Sequence, residues 1–489
     1  MQIRPAHPVP RALDDLLGAV PGLAVQGSLA GVQVTGCTHD SRSVQPGDLY
    51  AALPGAHAHG ADFAVDARAA GAVAVLTDAV GAQRVDGLPA LVVDNPRSVL
   101  GAVASWVHGD PSHDLMVLGV TGTNGKTTIA FLLEAGLRAA GHTTGLLGTV
   151  VSRIGDEEVR SERTTPEATD LHALFAAMRE RGVTAVAMEV SSHALAFGRV
   201  DGVRFDTAVF TNLTQDHLDF HADMEDYFQA KASLFTPERA GRGVVNADDE
   251  HGRRLLASPR IPLTGYGDDA PFRAEDVVLG PDRSAFSFVA NGTGTPASLH
   301  VPGAFNVSNA VGALACLATA GVPVDAAVRG IAELPGVPGR MERVDAGQPF
   351  TALVDYAHTP DAVESLLRTV RAVTPGRVIV VLGCGGDRDR GKRPLMGKAA
   401  VEGADIAVLT SDNPRSEDPL AILADMAQPD ALVEPDRRAA IALAVAQAGP
   451  GDAVVVAGKG HESGQEVAGV VTPFDDRVVL REAIEAAGA

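Results

Sequence analysis

Residues 117–128 read Val-Leu-Gly-Val-Thr-Gly-Thr-Asn-Gly-Lys-Thr-Thr: an apolar strand, a glycine-bearing turn and a lysine–threonine pair, followed by an apolar helical run from Ile129 to Leu137. Holding a phosphate chain takes bare backbone N–H groups, a point cation and a hydroxyl that can ligate magnesium. Gly122, Thr123, Asn124, Gly125, Lys126, Thr127 and Thr128 supply all three. Gly122 and Gly125 let the backbone close around phosphates, Lys126 can reach terminal phosphate oxygens, and Thr127 can ligate the ion. The strict pattern G-x-x-x-x-G-K-[ST] fails at its first position, where Val120 stands. With a strand before it and a helix after it, the segment predicts ATP binding; the alternative is an ordinary strand-to-helix turn.

Two further segments carry groups of the right chemistry. Met188-Glu189-Val190-Ser191-Ser192-His193 puts a carboxylate at the mouth of an apolar strand, and the run from Thr211 to His221 contains Asp216, His217, Asp219 and His221. These are hard oxygen or imidazole ligands. Magnesium takes few protein ligands beside phosphate oxygens, so one carboxylate, Thr127 and ATP suffice for a first ion. Taken alone, the His/Asp run also reads as a solvated loop, and Lys231, in the helical stretch from Met224 to Phe235, reads as a surface lysine. Cys37, Cys316 and Cys384 are odd in number and far apart, which fits neither a disulfide framework nor a zinc site.

The elements that must position these groups alternate. Strands are expected at Val32–Val34, Leu49–Ala52, Ala72–Leu76 and Ala90–Val93, then at Thr184–Val190, Thr207–Asn212 and Gly243–Asn246. After the Pro/Gly cluster at 334–339 they are expected at Ala352–Asp355, Arg377–Gly383, Ile406–Thr410 and Ala453–Ala457. Helical stretches between strands predict an α/β chain of parallel sheets with helices on both faces. Breaks near 112 and 338 divide it into 1–112, 113–338 and 339–489. In such sheets ligands sit beyond the carboxyl ends of the strands, and Thr211-Asn212, Asp355, Gly383 and Gly458 are expected there. A net charge of -21 argues against nucleic acid or an anionic membrane as partner. No apolar run reaches membrane-spanning length, and the N-terminal residues lack a basic-then-apolar signal, so a cytoplasmic location without membrane insertion is expected.

Together, Gly122–Thr128, Glu189–His193, Thr211–His221 and Lys231 resemble the Mur ligase family, ATP-dependent enzymes that add amino acids to the muramyl peptide of bacterial cell-wall precursors. The resemblance spans essentially the whole chain. It implies three domains: one that binds the UDP end of the substrate, a central P-loop parallel-sheet domain, and a Rossmann-like C-terminal domain that binds the amino acid. The segments 355–360, 383–388, 412–415 and 458–462 narrow the resemblance to members that add the third residue.

That resemblance implies ligation of meso-2,6-diaminopimelate to the D-glutamate γ-carboxylate of UDP-N-acetylmuramoyl-L-alanyl-D-glutamate, through an acyl phosphate, in peptidoglycan biosynthesis. The alternatives are the same reaction with L-lysine or L-ornithine, a folylpolyglutamate-synthase-like ligase, or a nucleotide-binding scaffold without turnover. Lys126, Glu189, His217 and Lys231 become the expected catalytic set, with Lys231 carbamylated by CO2 so that, with His217, it holds a second magnesium. Ser41 and the loop carrying Ala56, His57 and Ala58 would hold the uridine end. Thr164, Thr165, Ser191 and Arg199 would hold the muramyl peptide, while Phe197 stands where some relatives carry a glutamine contact. Asn306, Arg340 and Asp355 match nucleotide-contacting positions, Asn306 being alternatively a helix N-cap. Arg388, Asp412, Asn413, Pro414, Arg415, Gly458 and Glu462 match the amino-acid pocket. There Arg415 would read the distal carboxylate that diaminopimelate has and lysine lacks, unless it is a solvated arginine after an Asn-Pro turn. His193 and His217 are candidates for the base that frees the incoming amine. A monomer is expected.

Overall fold

The structure, a computed structural model, describes residues 3–159, 163–280 and 283–488; Met1 and Gln2 of the N-terminal segment lie outside the described residues. Three sheets organise the chain. The first has five strands in the order Ala24–Gln26, Ala90–Val92, Ala74–Thr77, Asp48–Ala51 and Gly36–Thr38, all parallel except the first. The last has six, with Thr351–Asp355, Ala453–Ala457, Val378–Cys384, Ile406–Ser411 and Leu432–Val433 parallel and Glu342–Arg343 antiparallel at one edge.

The central sheet positions the site. An inner strand, Met116–Thr121, is buried along nearly its whole length, as a strand covered on both faces must be. Ala185–Glu189 pairs with it on one side and Phe205–Phe210 on the other, both parallel. From Met116–Thr121 the chain moves two places over to Thr144–Leu147, returns to fill the gap with Ala185–Glu189, and then crosses to the opposite side. The strand order therefore reverses at Met116–Thr121. The loop that follows it opens into the crevice where α/β sheets bind ligands.

The expected parallel core is present, but the central sheet runs further than alternation suggested. Phe272–Leu279, Ser284–Ala290 and Thr293–Leu299 extend it as an antiparallel meander, to eleven strands in all. Much of Phe272–Leu279 is exposed, and Arg273, Glu275 and Asp276 interrupt its apolar residues, so it carried little of the uniform apolar signature of a buried strand. Asp355 ends its strand as expected, whereas the strand expected to stop at Gly383 runs one residue further, to Cys384. One apolar core runs from the central sheet through the helix Ala304–Thr319 into the C-terminal sheet, joining Val120 and Leu132 to Val363 and Leu382. Cys37, Cys316 and Cys384 are buried and free; burial pushes the Cys384 thiol up to about 12, which suits packing and not reactivity.

Candidate active site

Beyond Thr121 the chain turns through Gly122 and Gly125, with φ of +148° and +88°, into the helix Lys126–Ala139. Both glycines are required. A Cβ on Gly122 would overlap Thr211 Oγ1, and one on Gly125 would overlap Asn309 Oδ1. Asn212 fixes the loop, its backbone oxygen accepting from Thr123 N at 2.9 Å and its Oδ1 from Asn124 N at 2.9 Å. Those two donors are thus committed inside the protein. The first intrahelical bond is Ile129 N to Gly125 O, which leaves the N–H groups of Lys126, Thr127 and Thr128 for an anion at the helix N-terminus. Lys126 Nζ folds back on Gly122 O at 2.9 Å and Thr123 O at 2.7 Å, and burial lowers its pKa.

A cavity of about 710 Å³ opens over this loop. It brings together Thr123 to Thr128, Glu189, His217, Lys231, Asn306, Arg340 and Asp355, with Thr164, Thr165, Ser191 and Arg199 along its other wall. Glu189 ends its strand at 1% exposure and accepts from Thr149 N at 2.8 Å and Thr149 Oγ1 at 3.1 Å. His217 has φ +56°, a left-handed conformation that a non-glycine residue holds only where its surroundings impose it. Burial pulls its pKa down to about 3, so the imidazole is neutral and free to act as a ligand.

Lys231 overturns the reading of a surface lysine. It is 1% exposed, Nζ donates to Gly122 O at 2.7 Å, and Nζ lies 4.4 Å from the centre of the Tyr227 ring. Among the described residues no carboxylate pairs with it. Burial, then the neighbouring Lys126 cation, drive its pKa well below the usual lysine value. The solvated-loop reading of the His/Asp run fails in the same way, because Asp216 and His221 are buried.

Asn306 is not a helix N-cap. Gly303 occupies that position, and Asn306 Nδ2 donates to Pro302 O at 2.8 Å from inside the helix. Arg340 spans from the C-terminal part to the loop, donating to Thr127 Oγ1 at 2.9 Å while its guanidinium lies 4.4 Å from the Tyr356 ring centre. Asp355 accepts from Met341 N and Ala357 N, both at 2.7 Å, and so shapes the loop around Arg340. Thr165 Oγ1 donates to Glu189 O at 2.9 Å, Thr164 Oγ1 lies 3.0 Å from Thr149 Oγ1, and Ser191 caps the helix Ser192–Ala196. Arg199 pairs with Glu167 at 2.9 Å, beside the half-exposed Phe197 ring.

Two expected groups lie outside this cavity. Ser41 opens the short helix Ser41–Ser43, and Ala56, His57 and Ala58 form an exposed loop closed by Gly55 N to Ala58 O at 3.1 Å. In the C-terminal part, Asn413 Nδ2 donates to Glu462 Oε2 at 2.8 Å, and Lys459 Nζ reaches Glu462 Oε2 at 2.9 Å and Asn413 Oδ1 at 3.1 Å. A Cβ on Gly458 would stand 2.8 Å from Asp412 Oδ2. Arg415, with φ +52°, is part-buried and held by partners: NH1 donates to Gly386 O at 2.7 Å, Nε lies 3.7 Å from Glu466 Oε2, and the hairpin of Gly464–Val467 and Val470–Pro473 clamps its backbone through Glu466 O and Ala468 N. Pro414 lies between these two residues, and Arg388 is exposed beside the same turn.

Sequence reasoning missed the roles of Asn212, Thr149 and Asn309, which line the cavity, and of Tyr227 and Lys392, which contact its lining residues Thr123 and Asp216. Asn309, one helical turn from Asn306 and bonded to its Oδ1 at 3.2 Å, was the one with a usable spacing signal. Among the described residues no three His, Cys, Asp or Glu side chains converge as a ready metal cage.

Three family models match the chain: Mur ligase family, catalytic domain, over residues 33–106; Mur ligase middle domain over 120–317; and Mur ligase, glutamate ligase domain, over 339–460. UDP-N-acetylmuramoyl-L-alanyl-D-glutamate--2,6-diaminopimelate ligase of Streptomyces avermitilis is 58% identical over 99% of this chain and 98% of its own. UDP-N-acetylmuramyl-tripeptide synthetase of Leifsonia xyli subsp. xyli is 46% identical over 98% of each. A solved UDP-N-acetylmuramoyl-L-alanyl-D-glutamate--2,6-diaminopimelate ligase superimposes with a TM-score of 0.69 at 33% identity, covering 98% of this chain and 100% of that one. Folylpolyglutamate synthase of Mycobacterium tuberculosis, at 21% identity and a TM-score of 0.60, shares the fold over 73% of this chain. With models matching all three parts and relatives aligned from end to end, the chain belongs to the Mur ligase family, an α/β fold of three domains.

Proposed function

We propose that the protein is an ATP-dependent amide-bond ligase that joins meso-2,6-diaminopimelate to the D-glutamate γ-carboxylate of UDP-N-acetylmuramoyl-L-alanyl-D-glutamate, a step of peptidoglycan biosynthesis. The observation that carries this reading is the end-to-end identity to a relative bearing that name, over a chain whose phosphate loop, Glu189, His217 and Lys231 line one cavity. The γ-phosphoryl group of ATP passes to the carboxylate, giving an acyl phosphate. The amine then attacks the acyl carbon, and phosphate leaves from the tetrahedral intermediate. No protein nucleophile is needed; Lys126, Arg340 and the helix N-terminus stabilise charge on phosphoryl oxygens, and the cavity holds the reactants in line.

The donor set fits magnesium held partly by substrate, since hard oxygens are present without a closed protein cage. Thr127, Glu189, His217 and Lys231 as its carbamate would hold it, and the ion would neutralise phosphate charge. Carbamylation needs an unprotonated amine, and burial beside the Lys126 cation favours that form of Lys231: Nζ bonds to the carbon of CO2 and loses a proton, leaving a carboxylate-like anion. Asn306 and Asp355 line the nucleotide side. Thr164, Thr165, Ser191 and Arg199 face the muramyl peptide, and Ser41, Ala56, His57 and Ala58 take the uridine end. Arg388, Asp412, Asn413, Pro414, Arg415, Gly458 and Glu462 take the diamino acid, guanidinium groups toward carboxylate and Glu462 toward ammonium.

In this reading residues 1–112, 113–338 and 339–489 are the UDP-substrate, ATP and amino-acid domains of a cytoplasmic monomer that binds no nucleic acid. Among the described residues no helix is long and apolar enough to cross a membrane. Phosphate release with ATP, magnesium and the UDP-linked dipeptide, offering diaminopimelate, lysine and ornithine in parallel, tests the proposal. Turnover with diaminopimelate is expected; a preference for lysine or ornithine, or no dependence on the dipeptide, overturns it.

A further inference from the structure

Lys392 lies where a lysine is hard to explain by local structure. It caps the N-terminus of the helix Arg393–Gly403, where the helix dipole disfavours a cation, and it is 7% exposed. Two carboxylates of its own domain, Glu417 and Asp425, pair elsewhere: Glu417 with Arg393 at 2.7 Å and Arg390 at 2.8 Å, and Asp425 with Arg393 at 2.9 Å. The recorded partner of Lys392 is Asp216 of the central domain, Nζ to Oδ1 at 3.5 Å. Beside it, His358 Nε2 stands 3.8 Å from Asp216 Oδ2, and Gln215 Nε2 donates to Asp389 Oδ2 at 3.4 Å.

Burying an ion pair in this way adds little to stability, because desolvation offsets the attraction; such pairs are better suited to setting a geometry. The geometry at stake is that of His217. Asp216 Oδ1 accepts from the His217 backbone N–H at 3.0 Å, and Oδ2 lies 3.4 Å from His217 Nε2. One carboxylate therefore holds both backbone and ring of a residue in a left-handed conformation.

We propose that Lys392 is a positioning residue: arriving with the C-terminal domain, its ammonium clamps Asp216 and thereby sets His217 in its working orientation when the domains close. The inference rests on the ligase reading of the same cavity. It ties site assembly to domain closure, so that ATP is not committed before the amino-acid domain is seated.

The test uses the full chain and the phosphate-release assay. Lys392→Ala is expected to lower kcat roughly 10- to 100-fold, as loss of a group supporting a ligand does, with KM for all three substrates unchanged. Lys392→Arg should recover part of the loss. In an Asp216→Asn background Lys392→Ala should cost nothing further, and X-ray scattering with ATP and the UDP-linked dipeptide should show the variant more extended than the wild type. Should Lys392→Ala fail to fold, Lys392→Gln carries the same comparison. Wild-type kcat in the variant, a rise confined to one substrate's KM, or a full additional loss in the Asp216→Asn background overturns the clamp. A wild-type chain that ligates nothing overturns the ligase reading instead.

Discussion

The proposed reaction gives Lys126, Lys231 and Arg415 three different tasks, and their surroundings separate them. Lys126 is anchored by two carbonyls of its own loop, so its removal takes charge from the phosphate site and little from packing. Lys126→Ala is expected to lose roughly 3–4 kcal/mol of transition-state stabilisation while its melting temperature stays close to wild type. Near-normal ligation by that variant would show the loop does not hold the transferring phosphate. Lys231→Ala is expected to be inactive and partly rescued by formate or acetate, whose oxygens imitate those of a carbamate. Rescue by methylamine instead, an amine and not an oxygen donor, would count against the modification. Arg415→Ala should weaken diaminopimelate far more than ATP or the UDP-linked substrate, by about 2 kcal/mol, the low end for a charged pair, because the part-buried guanidinium that would face the distal carboxylate is removed. Parallel titrations with lysine provide the check: equal losses for both amino acids would mean that Arg415 does not read a second carboxylate.

At the scale of elements, the phosphate loop is a strand, a turn and a helix N-terminus, and the turn depends on Gly125. Gly125→Ala forces a side chain into a left-handed position, costing about 1–2 kcal/mol, and drives its Cβ into Asn309. Gly141 has a similar φ of +90° but faces open space, so Gly141→Ala carries the backbone cost without the clash. Nucleotide titration should therefore find Gly125→Ala binding ATP far more weakly and Gly141→Ala binding normally; equal affinities would disconnect the loop from the nucleotide. This element was legible in the sequence because its information is local: apolar residues, three glycines and a lysine within a dozen positions. The burial of Lys231 was not, because its acceptor Gly122 is 109 residues away, and the Lys392–Asp216 pair spans 176 residues. Resemblance supplied the role proposed for Lys231, while its local sequence gave only a helix face. The antiparallel meander escaped for a different reason, since strands such as Phe272–Leu279 pack one side only in part and carry charged residues along their length.

At the scale of the whole molecule, the seam between the first and second parts contains two buried histidines. His108 ends the helix Pro96–Val107 and His172 sits within the helix Ala168–Glu180 packed against it. His172 Nε2 donates to Asp201 O at 2.9 Å, while His108 Nε2 and His172 Nδ1 are buried without a partner among the described residues. Burial lowers His108 from the usual 6.5 to about 3 and His172 to about 4, and each would repel the other's positive charge. Both are neutral in the folded protein and would take up a proton once unfolded. The unfolded chain therefore binds more protons than the native one below about pH 6.5, so stability is full above that value and falls as the pH drops toward 4. At pH 5 one such histidine costs about 2 kcal/mol, and the two together cost less than twice that if local opening relieves both. His172→Gln keeps an N–H donor for Asp201 but cannot ionise, so its melting temperature should fall less between pH 7 and pH 5 than that of the wild type. Hydrogen exchange should place the acid-induced loosening in residues 96–107 and 168–180, at the seam, before the C-terminal sheet responds. Parallel pH profiles for variant and wild type, or loosening that begins in the C-terminal sheet, would show that the seam is not where acid opens the molecule.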